Sequence, residues 1–297
     1  MHPQIILEKN ILVCPETKSG FSIGNNELTS REGKKYLIRD DGKIDFIGLS
    51  RREEFKQQRD FFDKIKAFAK KLIGNKYPLL VKIISPVMWR IHWPTLSTYW
   101  SYLVKKYTSD REVVLQVGSG NDSAGNKIIN IDIFDYQEVD IIADCTKLPF
   151  NDNSVDVILS FAVLEHVEDP RLFLIEANRV LKKDGIIMTG LPFIAGFHAS
   201  PHDYYRWTDK GLETFHSQNG FQKIEIIPGN GPASGFLWIL QEFLAILLSF
   251  NINVLYYFWY FVFLILLFPI KLLDIILVHY KQGSKIEAFY YYIGKKI

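Results

Sequence analysis

The sequence predicts an α/β fold built on a doubly wound, mostly parallel sheet of seven strands. Two observations predict it: apolar runs of strand length recur along the chain, and short helical or turn segments separate them. Runs this apolar are typical of strands buried on both faces, as in parallel sheets. The runs assigned to strands are 113–117, 129–133, 139–144, 155–159, 186–191, 221–227 and 287–294.

The first strand ends in a glycine loop, Gly118-Ser119-Gly120. Glycine lets the chain turn tightly and lets a ligand approach the backbone. The second strand carries Asp132 near its tip, where an acid of a doubly wound sheet can accept hydrogen bonds from two ribose hydroxyls. The third run ends in Asp144. The pattern predicts a nucleotide-type site around this loop, with simple turns and helix caps as the alternative.

Six short motifs follow one another between residues 115 and 185. They are Leu-Gln-Val-Gly-Ser-Gly-Asn at 115–121, Asn-Ile-Asp at 130–132, Ala-Asp at 143–144, Leu-Pro-Phe at 148–150, Val-Leu-Glu-His-Val at 163–167 and Arg-Val-Leu-Lys-Lys-Asp-Gly at 179–185. Their order and spacing resembles a class I S-adenosylmethionine-dependent methyltransferase of the type-11 branch. The resemblance implies a Rossmann-like methyltransferase sheet, methyl transfer as the activity and S-adenosylmethionine as the cofactor.

The resemblance also implies a set of cofactor-binding residues. Asp132 would hold the ribose, Asp144 would accept from the adenine amino group, and Leu148 would cover the ring. The sequence departs from the family's pattern at Gln116, where an acid is usual, and at Asp122, where a third glycine is usual. Glutamine still accepts a hydrogen bond but brings no charge to a cationic ligand. The expected set is Gln116, Gly118, Ser119, Gly120, Asp132, Ile133, Asp144, Cys145 and Leu148.

Two segments near the carboxyl edge of the sheet supply candidate catalytic residues. His166 follows the fourth strand, at the edge where ligands bind in open α/β folds. The segment 197–208 follows the fifth strand and holds His198, His202 and Asp203 among aromatic residues. A histidine beside a carboxylate can act as a general base, because its pKa lies near neutrality. The alternatives are a helix cap at His166 and a lid whose Asp203 caps the next helix.

Residues 1–50 are predicted to form a small β module that resembles a metal-free zinc ribbon. Thr17 stands where the second ligand of the cysteine pair begun by Cys14 is expected, and no second cysteine pair follows. Because a structural zinc site needs four ligands, we expect no metal. An unrelated short β-meander is the alternative.

Residues 51–109 are predicted to form a helical linker or cover. Apolar residues at near-helical spacing in 51–75 indicate an amphipathic helix that packs on the rest of the protein, with a membrane-surface helix as the alternative. The apolar segment 77–93 is interrupted by prolines, which argue against one continuous spanning helix.

Residues 235–286 are predicted to form a hydrophobic insert between a methyltransferase domain, 110–234, and the last strand of its sheet, 287–297. The stretch 254–270 carries no charge, and a helix of its length spans about 26 Å, just below a bilayer's apolar thickness of about 30 Å. If the strands before and after the insert share one sheet, the insert leaves and returns on the same face. We expect a helical hairpin in one leaflet, with a homodimer interface as the alternative. The lysines expected at the headgroups are Lys271, Lys281 and Lys285.

Charge is nearly balanced, with 35 Lys and Arg residues against 33 Asp and Glu residues, so nothing favours nucleic acid as a partner. Cys14 and Cys145 are too few for a disulfide framework and fit a reducing cytoplasm. Charge at Glu8 and Lys9 interrupts the first apolar residues, and we expect no secretory signal. The expected location is therefore the cytoplasmic face of a membrane.

The expected function is methyl transfer to a small, glycan or lipid-linked acceptor, in cell-surface glycan or lipid-linked biosynthesis. A quinone or lipid methyltransferase is the nearest alternative. The rival from another class is a non-catalytic scaffold that retains the fold, because Gln116 and Asp122 depart from the usual loop.

Overall fold

The computed structural model describes residues 3–48, 91–92 and 97–297, and one mixed sheet of eleven strands organises them. The strands of this sheet are β1 (Phe21–Ile23), β2 (Glu27–Ser30), β3 (Lys35–Ile38), β4 (Ile44–Asp45), β7 (Val114–Val117), β8 (Ile128–Asp132), β9 (Ile141–Ile142), β10 (Val155–Phe161), β11 (Leu181–Pro192), β12 (Phe221–Pro228) and β13 (Phe289–Lys296). A separate hairpin pairs β5 (Ile91–His92) with β6 (Ser97–Thr98).

Helices precede, connect and follow these strands. They are α1 (Pro3–Glu8), α2 (Tyr99–Thr108), α3 (Pro170–Val180), α4 (Asp209–Ser217), α5 (Pro232–Ser249), α6 (Asn253–Leu266), α7 (Phe268–Lys271) and α8 (Asp274–Leu277), with 3-10 helices at Leu164–His166 and Lys281–Ile286. Strands β9, β8, β7, β10 and β11 are parallel neighbours in that order. Strand β13 lies antiparallel between β11 and β12, so β12 runs in the direction of the parallel strands.

The sheet is larger than the predicted seven strands. Residues 114–296 do supply seven, but β1 to β4 continue the same sheet, because β4 pairs in parallel with β9 through Ile44 and Ile141. The core is continuous across this junction, where Leu12, Leu28 and Tyr36 pack in one cluster with residues of the parallel strands. The amino-terminal β module is therefore an edge extension of the main sheet. Its Cys14 is buried, with the sulfur 3.3 Å from the Tyr36 hydroxyl.

Apolar side chains cover both faces of the sheet. Along β7, Val114 belongs to the cluster on one face and Leu115 to the cluster on the other, as the two-residue period of a strand requires. Helix α2 packs Trp100 and Leu103 on the first face, and α3 packs Phe173 on the second. Burial of both faces explains why the strands read as nearly continuous apolar runs.

Two sequence predictions lie outside the described residues. The amphipathic helix of 51–75 falls wholly there, and so does almost all of the proline-interrupted segment 77–93. The rest of the predicted cover contains α2, which begins after Thr98 and ends at Thr108.

The hydrophobic insert is a group of helices, α5 to α8, between β12 and β13. A short turn with left-handed backbone at Phe250 and Asn251 joins α5 to α6. The two helices contact each other, since the Tyr256 hydroxyl donates to Glu242 at 2.6 Å. By length and composition α5 could cross a membrane, although half of it is buried. Helix α6 passes the same test only together with Phe268–Leu277, across a bend of 50°.

Charged side chains at the base of the insert hold its helices together. Asp274 accepts hydrogen bonds from the backbone N–H groups of Ala233 and Ser234 at 2.7 Å and so caps α5. Lys271 is buried, 2% exposed, near Asp274. The expectation that Lys271 reaches lipid headgroups is therefore wrong. The other two lysines expected there, Lys281 and Lys285, are exposed.

Glu287, just before β13, allows a pH-dependent test of how the insert is held. It is fully buried, and its Oε1 accepts from the backbone N–H groups of Asn230 and Gly231. Burial raises the pKa of Glu287 from 4.5 to about 7, although these hydrogen bonds favour the charged form. A carboxyl whose pKa rises on folding stabilises the fold fully below its unfolded pKa, and this stability is lost as pH rises through the folded pKa.

Between pH 4.5 and pH 8, the free energy of unfolding of the wild type should fall by up to about 3 kcal/mol relative to that of the Glu287→Gln variant. Glutamine retains the Oε1 acceptor and carries no charge to desolvate. Thermal unfolding of both proteins across this pH range measures the difference. Parallel stability profiles would show that Glu287 does not titrate in this way.

Candidate active site

A cavity of about 810 Å³ opens at the carboxyl ends of the parallel strands. This edge is where open α/β sheets bind ligands. Eight of the predicted site residues line the cavity: Gly118, Gly120, Asp132, Ile133, Asp144, Cys145, His166 and His202.

The glycine loop is fastened to the end of β8. The N–H groups of Gly118 and Ser119 both donate to the Ile131 carbonyl, at 2.8 and 3.1 Å. The N–H of Gly120 donates to Asp132 Oδ2 at 2.8 Å. Gly118 has φ +71°, and a Cβ there would lie 2.2 Å from Val163 Cγ2, whereas a Cβ at Gly120 would meet nothing within 4 Å. The first glycine is thus required by packing, and the second leaves space beside the cavity.

Asp132 joins the loop to the segment that follows β8. Its Oδ1 accepts from the Phe134 N–H at 2.9 Å, while Oδ2 accepts from Gly120. Burial raises the pKa of Asp132, and these backbone hydrogen bonds oppose the shift. Each carboxylate oxygen has two lone pairs, so the side chain retains acceptor capacity toward the cavity. It can hold the hydroxyls of a ribose.

The next wall comes from residues that follow β9. Asp144 Oδ1 accepts from the N–H and hydroxyl of Thr146, at 2.9 and 2.7 Å. Burial raises the pKa of Cys145, and the charges of Asp144 and Asp132 raise it further. Its thiol therefore stays protonated and serves as an apolar wall. Leu148, expected to cover a bound ring, is instead fully buried in the core and does not line the cavity.

Two further residues of the predicted cofactor set face away from the cavity. The Gln116 side chain accepts from the Ala124 N–H at 2.8 Å and donates to the Asp122 carbonyl at 3.0 Å. Its amide thus braces the loop, so the expected contact to the ligand is not made from this position. Ser119, within the loop, is buried and does not line the cavity.

A further wall is formed by the 3-10 helix after β10 and by part of the predicted lid. His166 Nδ1 lies 2.6 Å from the carbonyl oxygen of His202, and burial lowers the pKa of His166. The Tyr204 N–H donates to the Glu165 carbonyl at 2.7 Å, which holds the lid against the helix. His166, His202 and Tyr204 all line the cavity.

His198 and Asp203, the other predicted catalytic residues, stand behind this wall. Asp203 accepts from both terminal nitrogens of Arg206, at 2.5 and 2.7 Å, and from the His198 N–H. Its carboxylate is therefore committed to holding the lid. Burial disfavours charge on His198, but the carboxylates of Glu165 and Asp203 outweigh it and raise the pKa of His198. The histidine beside carboxylates is thus His198, and the ring of His202 packs on Tyr204.

Sequence reasoning missed two residues that shape this region. Glu165 is fully buried, and its Oε1 lies 3.5 Å from His198 Nε2. Trp238 of α5 packs its ring 5.2 Å from the His198 ring, centre to centre. The hydrophobic insert therefore contacts the side chains that support the cavity wall. The adjacency of Glu165 to His166 in the sequence could have drawn attention to the first, but no local pattern identifies the second.

Part of the chain is similar in sequence to known methyltransferases. Residues 118–189 match a family model described as "Methyltransferase domain". A probable S-adenosylmethionine-dependent methyltransferase of Mycobacterium tuberculosis is 40% identical over 58 residues, which cover 19% of this chain and 21% of that relative. Another from Mycolicibacterium smegmatis is 40% identical over 58 residues and is covered to 23%. The match thus spans about a fifth of the length of these curated relatives.

Solved structures align at low sequence identity. Phosphoethanolamine N-methyltransferase 2 of Haemonchus contortus, in complex with S-adenosyl-L-methionine, aligns with a TM-score of 0.45 and 15% identity, over 76% of this chain and 59% of that chain. The 1,6-didemethyltoxoflavin-N1-methyltransferase of Burkholderia thailandensis aligns with a TM-score of 0.44 and 10% identity, over 93% and 97%. Residues 118–189 are thus similar to a methyltransferase domain, and the curated relatives that match part of the chain are described as S-adenosylmethionine-dependent.

The contact between Gly118 and Val163 gives a test of the loop. Gly118→Ala is expected to lower stability by about 1–3 kcal/mol, because it combines a positive φ with a buried clash. The double variant Gly118→Ala, Val163→Ala removes the clashing methyl groups and should regain part of the loss. Thermal unfolding compares the two, and titration with S-adenosylhomocysteine should show the same order of affinities. A double variant no better than the single one would contradict the packing account.

Proposed function

We propose that the protein is an S-adenosylmethionine-dependent methyltransferase that acts at a membrane surface on a glycan or lipid-linked acceptor. The observation that carries the first part is the fastening of the glycine loop to Asp132 beside a cavity at the carboxyl edge of the sheet. The observation that carries the second is the apolar insert, which is attached at this same edge.

The residues present fit S-adenosylmethionine. Because Gly120 has no side chain, open space remains beside it at the cavity. Asp132 has acceptor capacity for the ribose hydroxyls. Asp144 lies further along the same wall, where it can accept from an adenine amino group. The bound cofactor supplies an electrophilic methyl group on a sulfonium.

The protein's part in the reaction is chiefly to orient the acceptor and exclude water. Such positioning can contribute roughly 7–11 kcal/mol in favourable cases. His166, His202 and Tyr204 line the same cavity as the glycine loop, so an acceptor bound there would lie against them. Asp203 and Arg206 hold this wall in place from behind. Of the four predicted catalytic residues, His166 and His202 are the two that line the cavity.

The apolar surface of the insert favours a membrane as partner. No side chain of α6 is fully buried, and Val254 is 76% exposed. A contiguous exposed surface of this kind is typical of a membrane or protein interface. The large exposed side chains include Phe243, Ile246, Leu247, Phe250, Val254, Phe258, Ile265 and Leu266.

The position of the insert links this surface to the cavity. It leaves the sheet at the carboxyl end of β12 and returns at the start of β13, where Pro228 pairs with Tyr290. Because β12 runs with the parallel strands, this end lies at the cavity's edge of the sheet. Docking of the insert in one leaflet would bring the cavity close to a membrane-borne acceptor and raise its local concentration. The two free cysteines fit the cytoplasmic face.

One observation favours the rival function, a non-catalytic scaffold. The Gln116 side chain is neutral, so it supplies no charge to a cationic ligand, and its amide is hydrogen-bonded within the loop. Incubating the protein with methyl-labelled S-adenosylmethionine and a membrane-lipid extract tests the proposal. Transfer of label to an extractable lipid supports it. Cofactor binding without label transfer to lipid, glycan or quinone fractions would favour the scaffold.

Asp132→Ala should weaken the binding of S-adenosylhomocysteine by roughly 10- to 150-fold, the range expected for hydrogen bonds to a charged group. Asp132→Asn retains one acceptor oxygen and should lose less. Isothermal titration measures both variants. Asp184→Asn is the matched control, because Asp184 is exposed near the start of β11 and lies outside the cavity. Equal affinities for all proteins would contradict a role for Asp132.

The apolar surface of the insert should govern membrane binding. Replacing Phe243, Ile246, Phe250, Val254 and Phe258 by serine removes exposed apolar area and leaves the buried contacts of Trp238 intact. We expect at least a tenfold loss of cosedimentation with anionic vesicles, while cofactor affinity stays within twofold of wild type.

The control carries Ile23→Ser and Ile224→Ser, which remove exposed isoleucines from β1 and β12. It should bind vesicles as wild type does. Light scattering of the vesicle-free proteins provides the decisive contrast. The membrane proposal would be wrong if the wild type is a dimer that does not bind vesicles and the five-serine variant is a monomer. The interface alternative would then take its place.

A further inference from the structure

We propose that Glu165, His166 and His198 form a binding site for a divalent transition metal ion of the Zn²⁺ class, next to the cavity. One ligand atom from each of the three lies within 4.8 Å of the others. Two imidazoles and a carboxylate are a ligand set that such ions use when they keep a coordination position open. The site goes beyond the proposed methyltransferase function and does not rest on it.

The first support is the state of Glu165. Its side chain is fully buried, and among the described residues neither carboxylate oxygen has a hydrogen-bond partner. A buried carboxylate is costly unless it is paired, hydrogen-bonded or bound to a metal. His198 Nε2, at 3.5 Å from Glu165 Oε1, is likewise buried and makes no hydrogen bond within the part of the chain described. Two unpartnered ligand atoms thus face each other in the interior.

The second support is the way in which both histidines are oriented. His166 Nδ1 lies 2.6 Å from the His202 carbonyl, and His198 Nδ1 lies 2.9 Å from the Gly196 carbonyl. A carbonyl only accepts, so in each ring Nδ1 carries the proton and donates. In the neutral rings the lone pair is then on Nε2, which is the atom left to bind a metal. Such bonds from the second ring nitrogen are typical of metal-binding histidines.

The third support is the spacing. With bonds of about 2.0–2.2 Å, the ligand atoms of a tetrahedral zinc site lie roughly 3.3–3.5 Å apart, and two bound imidazoles have their centres roughly 5 Å apart. The Glu165 to His198 distance is 3.5 Å. The ring centres of His166 and His198 are 5.2 Å apart. Both values fit one ion shared by the three side chains.

The surrounding charges are compatible with a cation. The Arg206 guanidinium comes within 3.4 Å of His198 Nδ1, but Asp203 pairs with it through both oxygens. Without a metal, the cluster would instead contain an ion pair between Glu165 and a protonated His198. The sequence contains no zinc-binding motif at this position, since Glu165 and His166 are adjacent and His198 lies 32 positions after His166. Because His166 lines the cavity, a bound ion would lie where an oxygen of the acceptor could complete its coordination.

Metal titration of the full chain, without a histidine tag and after chelator treatment, tests the site. We expect one Zn²⁺ per chain after dialysis, and a visible absorption band on loading with Co²⁺. The zinc absorption edge should show nitrogen and oxygen ligands without sulfur. Failure of wild type to retain an ion, or sulfur ligation through Cys14 or Cys145, would overturn the proposal.

Variants identify the ligands. His166→Gln and His198→Gln are each expected to weaken Co²⁺ binding at least tenfold and to reduce the absorption band. His202→Gln is the matched control, because its ring lies in the same lid but outside the cluster, and it should bind as wild type does.

Circular dichroism establishes that each variant is folded. Both histidine side chains are partly exposed, so should one variant unfold, the other decides. Wild-type affinity in His166→Gln would overturn the assignment. The metal assay requires no methyl acceptor, so its outcome is separate from that of the proposed function.

Discussion

The site depends on one constraint, the attachment of the glycine loop to the end of β8. Asp132 accepts from Gly120, and the Ile131 carbonyl accepts from Gly118 and Ser119. These bonds fix the loop at the carboxyl edge, where the parallel strands end and the cavity opens. The cost of a buried carboxylate is offset by this hydrogen bonding, and Gly118 adopts its φ of +71° without the steric penalty that a side chain would carry. The remaining cavity walls are arranged around that fixed point.

The parallel part of the fold could be predicted from sequence because its signals are local. Strands buried on both faces read as apolar runs, and the loop glycines and Asp132 stand at their ends. No local sequence pattern predicts that β1 to β4 extend the sheet, because β4 pairs with β9, which lies about a hundred residues away. Burial of Lys271 beside Asp274 was equally hidden, because it depends on how α7 and α8 pack against α5.

The candidate site was predicted less completely, and the errors share a physical cause. Residue type indicates what a side chain can bond, but tertiary contacts decide which partner it meets. Gln116 could have faced a ligand, yet its amide is satisfied within the loop. Leu148 could have covered a ring, yet it fills the core. The approach of Glu165 to His198 and of Trp238 to the same ring comes from three separate elements, so the link between insert and cavity appears only in the folded chain.

The central claim is that this cavity binds the cofactor of a methyltransferase, and calorimetric titration of wild-type protein with S-adenosylhomocysteine tests it most directly. The account predicts saturable heat with one site per chain, because one cavity holds both the glycine loop and Asp132. No binding at millimolar ligand, by protein that circular dichroism shows to be folded, would contradict the account and leave the fold as a scaffold.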